Sequence, residues 1–453
     1  MDFEWSEHAF GELCTITRGA SPRPINAFLS KIGMPWIKIA DATSSDSRFL
    51  ETTNECIKLE GVKSSVRVFP GDLILSNSAT PGLPKFVTLD ACIHDGWMLL
   101  RDFKGLDKNY AYWLLLNERK NLVAQGNGSV FTNLKTDILK LHRVRIPDLA
   151  TQTKIAQILD SIAEKIDLNR HINKTLEAMA QASFKSWFVD FDPVKAKIAA
   201  IEQGQDPLRA SMRAISGKTD AELDQMPREH HDQLAATAAL FPDAMEESEL
   251  GEIPKGWAVG TLADLCHLNP ESWSARTLPD TVRYVDLANA KGGEISEVQS
   301  LGGKDIPSRA RRILRYGDTI VGTVRPGNRS FALIGEDGLT GSTGFAVLRP
   351  KSAHWLEFVH LVATSEANIE RLAHLADGGA YPAVRPEIVV QEDVAIPTES
   401  IVQAFSQHVK SLFAKILSNR KSAVSLAELR DTLLPKLLSG EISVETLMNE
   451  VAQ

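Results

Sequence analysis

The chain has 453 residues, an apolar fraction of 43% and a formal net charge of −8. This length predicts two or three domains with enough apolar material for their cores. The sequence contains no run of 18 apolar residues, so we expect no membrane-spanning helix. The acidic start, MDFEWSEHAF, lacks the basic and apolar segments of a secretory signal, so we expect a cytoplasmic protein.

Most of the negative charge is concentrated in one segment. Residues 199–256 contain twelve acidic and five basic side chains, a net charge of −7 against −8 for the whole chain. The remainder is nearly neutral, so basic patches for nucleic acid are compatible with the composition. The four cysteines are scattered without a Cys-x-x-Cys pair, which is typical of a reducing cytosol and argues against disulfides or structural zinc.

An internal repeat with an offset of about 250 residues organises the chain. Each half has a tryptophan before a Leu-Cys pair, a Gly-Asp turn before an apolar run, a Gly-aromatic run ending in Leu-Arg, a Gly-rich loop and an Ile-Pro step. The clearest match joins VFPGDLILSNSATPGLPKFV (68–87) to LRYGDTIVGTVRPGNRSFAL (314–333). Short β-like runs and helix-like stretches at 109–125 and 354–376 predict a mixed α/β domain in each half.

A helical periodicity follows each Ile-Pro step. Apolar residues recur at three- and four-residue spacing over 155–179 and 401–437, without a proline before Pro435. We expect two long helices that pair antiparallel as a coiled coil, in a pseudo-twofold arrangement with one domain at either end. Asn169 and Asn419 interrupt the two stripes at equivalent positions. Buried, they would fix the helix register; the alternative is that both face water.

The whole chain resembles the specificity subunit of type I restriction–modification systems. The most specific features are the paired Gly-Asp runs, the two Ile-Pro-to-helix transitions and FVDFDPVKAK (188–197). The stretch ALFPDAMEESELGEIPKGW (239–257) also resembles this family's entry into its second recognition domain. One departure is Thr151-Gln152, which stands where the family's helix usually begins with Glu-Gln.

The resemblance implies a non-catalytic subunit that reads a bipartite double-stranded DNA target, one half per target-recognition domain. It implies two adenine methyltransferase partners that use S-adenosylmethionine, and an ATP-dependent translocase–nuclease that can join them. No cofactor is expected on this chain. The expected segments are recognition domain 1 (1–147), helical spacer 1 (148–198), an acidic linker (199–256), recognition domain 2 (257–396) and helical spacer 2 with a C-terminal tail (397–453).

The motifs of a self-sufficient enzyme are missing from the sequence. Neither LNPES (268–272) nor FDPV (191–194) is the Asn/Asp-Pro-Pro-aromatic tetrapeptide of an adenine methyltransferase. In GTVRPGNRS (322–330), Asn-Arg replaces the Lys-Ser/Thr that a phosphate-binding loop needs to reach the terminal phosphates of a nucleotide. A fused methyltransferase and a nucleotide-binding site are therefore rejected.

The aromatic–aspartate stretch SWFVDFDPVKAK (186–197) has two interpretations. Asp190 and Asp192 are spaced like the start of a metal site. Two residues apart on a helix they face different directions, and no third ligand is near in sequence. We therefore interpret the stretch as the end of a helix with buried aromatic side chains, which Pro193 stops, and we expect no metal site.

DNA recognition requires Lys and Arg to neutralise phosphates and planar polar side chains to read base edges. Matched loops in both halves supply such residues, and these loops differ more between the copies than the strands do. The alternative for each residue is an ordinary solvated side chain, and the alternative for the chain is a protein-binding coiled-coil scaffold. The candidate DNA-binding residues are Arg18, Arg23, Asn77, Ser78, Lys85, Asn127, Ser129, Asn133, Lys135, Arg276, Arg311, Arg312, Arg325, Asn328, Arg329, Tyr381 and Arg385.

Overall fold

The computed structural model describes residues 5–43, 47–125, 133–379, 381–444 and 447. The chain divides into two compact units, one formed by residues 1–168 and 422–453 and the other by residues 169–421. Each unit therefore combines one mixed α/β domain with segments of two long helices.

The domain of the first unit is built mainly from short strands. Its strands are β1 (Ser6–Ala9), β2 (Thr15–Arg18), β3 (Leu29–Ser30), β4 (Met34–Ile37), β5 (Phe49–Leu50), β6 (Cys56–Ile57), β7 (Val66–Val68), β8 (Leu73–Ser76), β9 (Pro84–Val87), β10 (Ala91–Ile93), β11 (Trp97–Arg101) and β12 (Arg143–Ile146). Its helices are α1 (Phe10–Leu13), α2 (Ile25–Phe28), α3 (Ile39–Thr43), α4 (Lys108–Ala124) and α5 (Thr136–Leu141).

Two five-stranded sheets, in the orders β3-β6-β4-β10-β7 and β2-β11-β8-β9-β5, form this domain. The run that follows the Gly-Asp turn is β8, and all four of its residues are buried. Its side chains alternate between two cores: Leu73 and Leu75 pack with α4, whereas Ile74 packs with strands of the other sheet. Because both faces of β8 are covered, its first three residues, Leu73, Ile74 and Leu75, are all apolar instead of alternating with polar residues.

The long helix α6 (Leu149–Phe188) follows β12. The segment expected to be an acidic linker is folded, and part of its charge supports the fold. Asp206 accepts backbone hydrogen bonds from Leu208 and Arg209 at the start of a helix, and Arg209 pairs with Asp220 at 2.6 Å. The elements here are α7 (Asp192–Glu202), α8 (Pro207–Ser216), α9 (Asp220–Asp224), α10 (Arg228–Leu240), β13 (Met245–Ser248) and β14 (Gly251–Pro254).

The second domain repeats the strand arrangement of the first. Its strands are β15 (Ala258–Thr261), β16 (Cys266–Leu268), β17 (Thr281–Val285), β18 (Ala290–Lys291), β19 (Glu294–Ile295), β20 (Gln299–Gly302), β21 (Ala310–Leu314), β22 (Thr319–Gly322), β23 (Phe331–Leu333), β24 (Leu339–Ser342), β25 (Phe345–Pro350) and β26 (Asp393–Ile396). Its helices, followed by the second long helix, are α11 (Leu262–Leu265), α12 (Leu356–Ala363), α13 (Glu366–Leu375), α14 (Pro386–Val389) and α15 (Glu399–Ser439).

Equivalent strands pair in equivalent orders in the two domains. The sheet β16-β25-β22-β23 matches β2-β11-β8-β9, and the pair β15-β26 matches β1-β12. One expected helix differs: residues 354–376 form α12 and α13 instead of a single helix. The break occurs because Ser365 caps α13, its Oγ accepting a hydrogen bond from the backbone N of Asn368 at 3.2 Å.

In the second unit, the end of α6 packs antiparallel against the start of α15. The rings of Trp187 and Phe405 lie 5.4 Å apart, and Phe188 lies edge-on to Phe358 of α12 at 5.0 Å. Near the other end of the pair, Asn173 hydrogen-bonds Asn419. The last turns of α6 therefore belong to the core of the second domain.

The first unit shows the same arrangement with the helices exchanged. Leu434, Leu437 and Leu438 of α15 share a buried cluster with Leu159 of α6 and Trp113 of α4. The end of α15 therefore completes the core of the first domain, as the end of α6 completes that of the second.

The stretch at the end of α6 has the buried aromatic side chains that we expected. The expected role of Pro193 is wrong. The helix ends at Phe188, Phe191 adopts a left-handed conformation with φ of 57°, and Pro193 lies in the first turn of α7. A proline fits there because the first helical turn needs no backbone N–H donor. Asp190 pairs with Lys185.

Asn169 and Asn419 are both buried, so the alternative that they face water is wrong. The Nδ2 of Asn419 donates to Oδ1 of Asn173 at 3.0 Å, and the Nδ2 of Asn173 donates to the carbonyl of Ile416 at 3.3 Å. Asn173 lies four residues after Asn169, on the same buried face of α6. That these amides fix the register of the helix pair stays a prediction.

Replacing Asn419 by Leu should lower the free energy of unfolding by about 1–3 kcal/mol, because Oδ1 of the buried Asn173 loses its hydrogen-bond donor. The double variant Asn173→Leu/Asn419→Leu should recover most of this loss, since an apolar pair then replaces the hydrogen-bonded pair. Urea unfolding of both single variants and the double variant measures the coupling between the two residues. A coupling near zero would contradict the pairing.

Candidate nucleic-acid interface

The Gly-Asp turn that recurs in both halves is a structural element. Asp72 accepts a hydrogen bond from the backbone N of Phe69 at 2.7 Å and from Nε of Arg101 at 2.9 Å. In the second domain, Asp318 is completely buried and accepts Nε of Arg349 at 2.8 Å. The repeated Asp and the repeated Leu-Arg thus form one ion pair in each domain, partly buried in the first and with a fully buried carboxylate in the second, at the start of the strand that leads into the candidate loop.

The loop after this strand is held by the same backbone bonds in both domains. Asn77 N donates to Gly96 O at 2.8 Å, and Thr323 N donates to Gly344 O at 2.8 Å. A second backbone hydrogen bond joins the loop to the segment before α5 in the first domain and before α14 in the second. It runs from Leu134 N to Asn77 O at 2.8 Å, and from Val384 N to Thr323 O at 2.9 Å. One scaffold therefore presents two different sets of side chains.

Two segments of the second domain, residues 322–330 and 376–385 without 380, form a loop pair that carries several candidates. Arg325 N donates to Pro382 O at 2.7 Å, and the Arg325 guanidinium lies over the Tyr381 ring, 4.7 Å from its centroid. Tyr381 is 72% exposed. Arg325 has a positive φ of 47°, a conformation that costs free energy in a residue with a Cβ. The loop therefore holds an exposed arginine in a defined orientation.

The same left-handed turn occurs in the first domain with a different side chain. Ala79, two residues after Asn77, has φ of 57°, as Arg325, two residues after Thr323, has φ of 47°. A position with one backbone conformation thus carries a methyl group in one domain and a guanidinium in the other. This difference is what two loops with different base preferences require.

The other candidates of the second domain differ in availability. Asn328, Arg276 and Arg385 are exposed, whereas Arg329 pairs with Glu366 of α13 at 2.6 Å. Arg311 and Arg312 are half-buried on β21. Burial lowers the pKa of Arg312, whose Nη1 donates to Ser272 Oγ at 3.2 Å. These two arginines therefore have less free surface for phosphates than the residues of the loop pair.

In the first domain, Arg18 and Arg23 converge on Asp95. Arg18 Nε donates to the Asp95 carbonyl at 3.3 Å, and Arg23 pairs with its carboxylate at 3.5 Å. A hydrogen bond from Ser21 Oγ, 2.6 Å from Asp95 Oδ1, lowers the pKa of this carboxyl. Both arginines remain exposed. Asp95 was missed by the sequence reasoning, although its position directly before the repeated Gly-aromatic motif is a detectable signal.

Two candidates of the first domain serve the fold instead of the surface. Asn77 is buried, and its Nδ2 donates to the carbonyls of Asp95 at 3.0 Å and Trp97 at 3.5 Å. Lys85 is 3% exposed, and its Nζ donates to the carbonyl of Ser47. Both lie where the polar-loop pattern placed them, but the pattern could not reveal that their side chains turn inward.

The remaining first-domain candidates lie around the same loops. Ser78 is half-buried, and Asn133 and Lys135 are exposed before α5. Asn127 and Ser129 fall outside the described residues. In the part of the chain that the structure describes, no group of three His, Cys, Asp or Glu side chains is arranged to hold a metal ion. None of the helices described is long and apolar enough to cross a membrane.

Comparisons with known proteins give a consistent result. Residues 3–178 match the family model described as the type I restriction modification DNA specificity domain. The chain is 28% identical to the HindI specificity subunit of Haemophilus influenzae over 97% of its own length and all of that protein. It is 24% identical to the MjaIX specificity subunit of Methanocaldococcus jannaschii over 91% of this chain and 88% of that one.

A solved structure extends the likeness to the fold. The S subunit of a type I restriction–modification system from M. genitalium is 12% identical and has a TM-score of 0.50, with 96% of both chains covered. At this identity the likeness concerns the fold alone.

Replacing the buried Lys85 by Ala should lower the free energy of unfolding by about 1–3 kcal/mol, because the Ser47 carbonyl loses its donor. The matched control is Lys135→Ala, which removes an exposed lysine of the same domain and should change the stability by less than about 0.5 kcal/mol. Urea unfolding of the two variants checks both values. Equal effects would contradict the inward orientation of Lys85.

Proposed function

We infer the function of this chain from its family: it belongs to the specificity subunits of type I restriction–modification systems. The chain recognises DNA sequence through its two mixed α/β domains. We place these recognition domains at residues 1–147 and 257–396 and assign one half of a bipartite duplex target to each. The exposed loop residues contact the DNA, and the buried Asn77 and Lys85 support the loops from within.

The observation that carries this proposal is the shared loop scaffold with unlike side chains. Two backbone hydrogen bonds hold the loop in the same way in both domains, and a left-handed residue occupies the same position. At that position the first domain has Ala79, and the second has Arg325 stacked on Tyr381. An arginine presents paired donors that suit the acceptor edge of guanine, whereas an alanine presents only a methyl group.

Chemistry is assigned to partner subunits. We propose that two adenine methyltransferase subunits, which supply S-adenosylmethionine, bind this chain, and that a translocase–nuclease subunit using ATP joins the complex. The long helices α6 and α15 act as spacers between the recognition domains, and the complex works in the cytoplasm, where its DNA substrate lies. A scaffold that never contacts DNA would leave the matched loops and their exposed arginines without a role.

Co-expression of the chain with its methyltransferase partner, followed by mapping of methylated adenines, should yield one motif with two specified halves separated by an unspecified spacer. Arg325→Ala should relax base preference in only one half, and Arg18→Ala should weaken contact with the other, because the two arginines lie in different domains. Each change should reduce methylation of the cognate site roughly tenfold, the loss expected for one arginine–DNA contact.

The control for these variants is Arg228→Ala, which removes an arginine that is 95% exposed on α10, outside both recognition domains. It should leave the motif and the methylation rate unchanged. Methylation without any sequence preference would exclude the specificity role. A motif in which both halves change with a single arginine would exclude the assignment of one half to each domain.

A further inference from the structure

A buried arginine joins the first recognition domain to α6. Arg48 directly precedes β5, and its side chain is only 6% exposed. Its guanidinium pairs with Asp160 and, at 3.0 Å, with Glu164. Asp160 and Glu164 are one helical turn apart and lie on the same face of α6. The arginine therefore engages two successive turns of the helix at once.

The domain side of this contact is also fixed. The carbonyl of Arg48 accepts a hydrogen bond from Phe86 N of β9 at 2.9 Å, and the guanidinium lies over the Phe49 ring at 4.9 Å. On the helix side, Asp160 Oδ1 also accepts a hydrogen bond from Nε1 of Trp113 in α4 at 2.9 Å. The sheet edge, α4 and α6 are thus connected through the pair of Arg48 and Asp160.

The ion pair of Arg48 differs from the apolar packing around it because its free energy depends on the relative orientation of the two partners. Apolar side chains tolerate small rotations of one element over another, since the free energy of burial depends on area and not on angle. A buried guanidinium between two carboxylates requires a defined geometry, because any rotation would leave a desolvated charge without its partner. The Arg48 contact therefore opposes rotation of the domain about α6.

The second domain is held to its helices by a different set of charges. Arg420 of α15 pairs with Glu177 of α6 at 2.7 Å and donates to the carbonyl of Leu333 at 3.4 Å. Arg170 of α6 lies 3.8 Å from Glu294 of the domain. The repeated strands are alike, but the charged contacts that orient each domain on its helices are not, so the two orientations are specified independently.

We propose that Arg48 is a positioning residue that fixes the angle of the first recognition domain on α6 and thereby restricts the spacer length between the two DNA half-sites. The inference rests on the proposed function. Each added base pair moves a half-site by about 3.4 Å and rotates it by about 35° around the duplex axis. A domain held at a fixed angle accepts one spacer length, whereas a domain free to rotate also accepts spacers that are one base pair shorter or longer.

The test uses the assembled complex of full-length chain and methyltransferase, with duplexes that carry the mapped half-sites at the native spacer and at spacers one base pair shorter or longer. For Arg48→Met, the methylation rate at the altered spacers relative to the native spacer should rise about tenfold, the loss of discrimination expected from one charge-assisted contact. The bases specified within each half-site should stay the same.

A matched control is Arg67→Met. Arg67 pairs with Asp90 in the same domain, is 47% exposed and belongs to β7, so its loss should leave the spacer preference unchanged. Glu164→Gln, at a position 66% exposed, is a mild second variant that weakens the contact without emptying a buried site. It should shift the spacer preference in the same direction as Arg48→Met. If Arg48→Met does not assemble, this variant tests the positioning role of Arg48.

An unchanged spacer preference in assembled Arg48→Met, or in Glu164→Gln if the former fails to assemble, would overturn the inference. A change in the bases specified would do so too, because Arg48 would then act on the reading loops. A wild-type complex without a bipartite motif would contradict the proposed function itself. A bipartite wild-type motif with an unaltered variant profile would contradict the positioning role alone.

Discussion

The core of each recognition domain is completed by the end of a helix that starts after the other domain. Trp187 and Phe188, at the end of α6, lie in the core of the second domain, and Leu434 and Leu437, at the end of α15, lie in the core of the first. Large buried side chains contribute several kcal/mol each, so neither domain has its full core without the other half of the chain. The strands that lead into the loops proposed to contact DNA, β8 and β22, pack in these same cores.

This exchange gives the aromatic–aspartate stretch a physical explanation. Its aromatic residues fill one domain core. The leucines of LLPKLL (433–438), near the end of α15, fill the other, so the two stretches share a role without sharing residues. Asp190 has no part in these cores, since its carboxylate pairs with Lys185. The chain passes from α6 into α7 through the left-handed Phe191, and Pro193 lies in the first turn of α7.

The sequence predicted the features that depend on periodicity and repetition. The duplicated mixed α/β fold, the long helices and the strand after each Gly-Asp turn follow from patterns of apolar and turn residues, and the structure has them. Side-chain direction within a loop follows from tertiary contacts, so the buried positions of Asn77 and Lys85 could not be read from a polar loop pattern. The folding of residues 199–256 was hidden by their charge, because several acidic residues there cap helices or pair with arginines.

The central claim is that the end of α6 completes the core of the second domain and the end of α15 that of the first. Hydrogen–deuterium exchange in the full-length chain tests it most directly. Phe188→Ala should accelerate exchange in β22 and β25 of the second domain and leave β8 and β11 of the first unchanged. Leu437→Ala should do the reverse. Phe188→Ala leaves a cavity in the core of the second domain, whereas Leu437→Ala leaves one in the core of the first. Acceleration confined to α6 in the first variant, or in β8 and β11 instead of β22 and β25, would contradict the account.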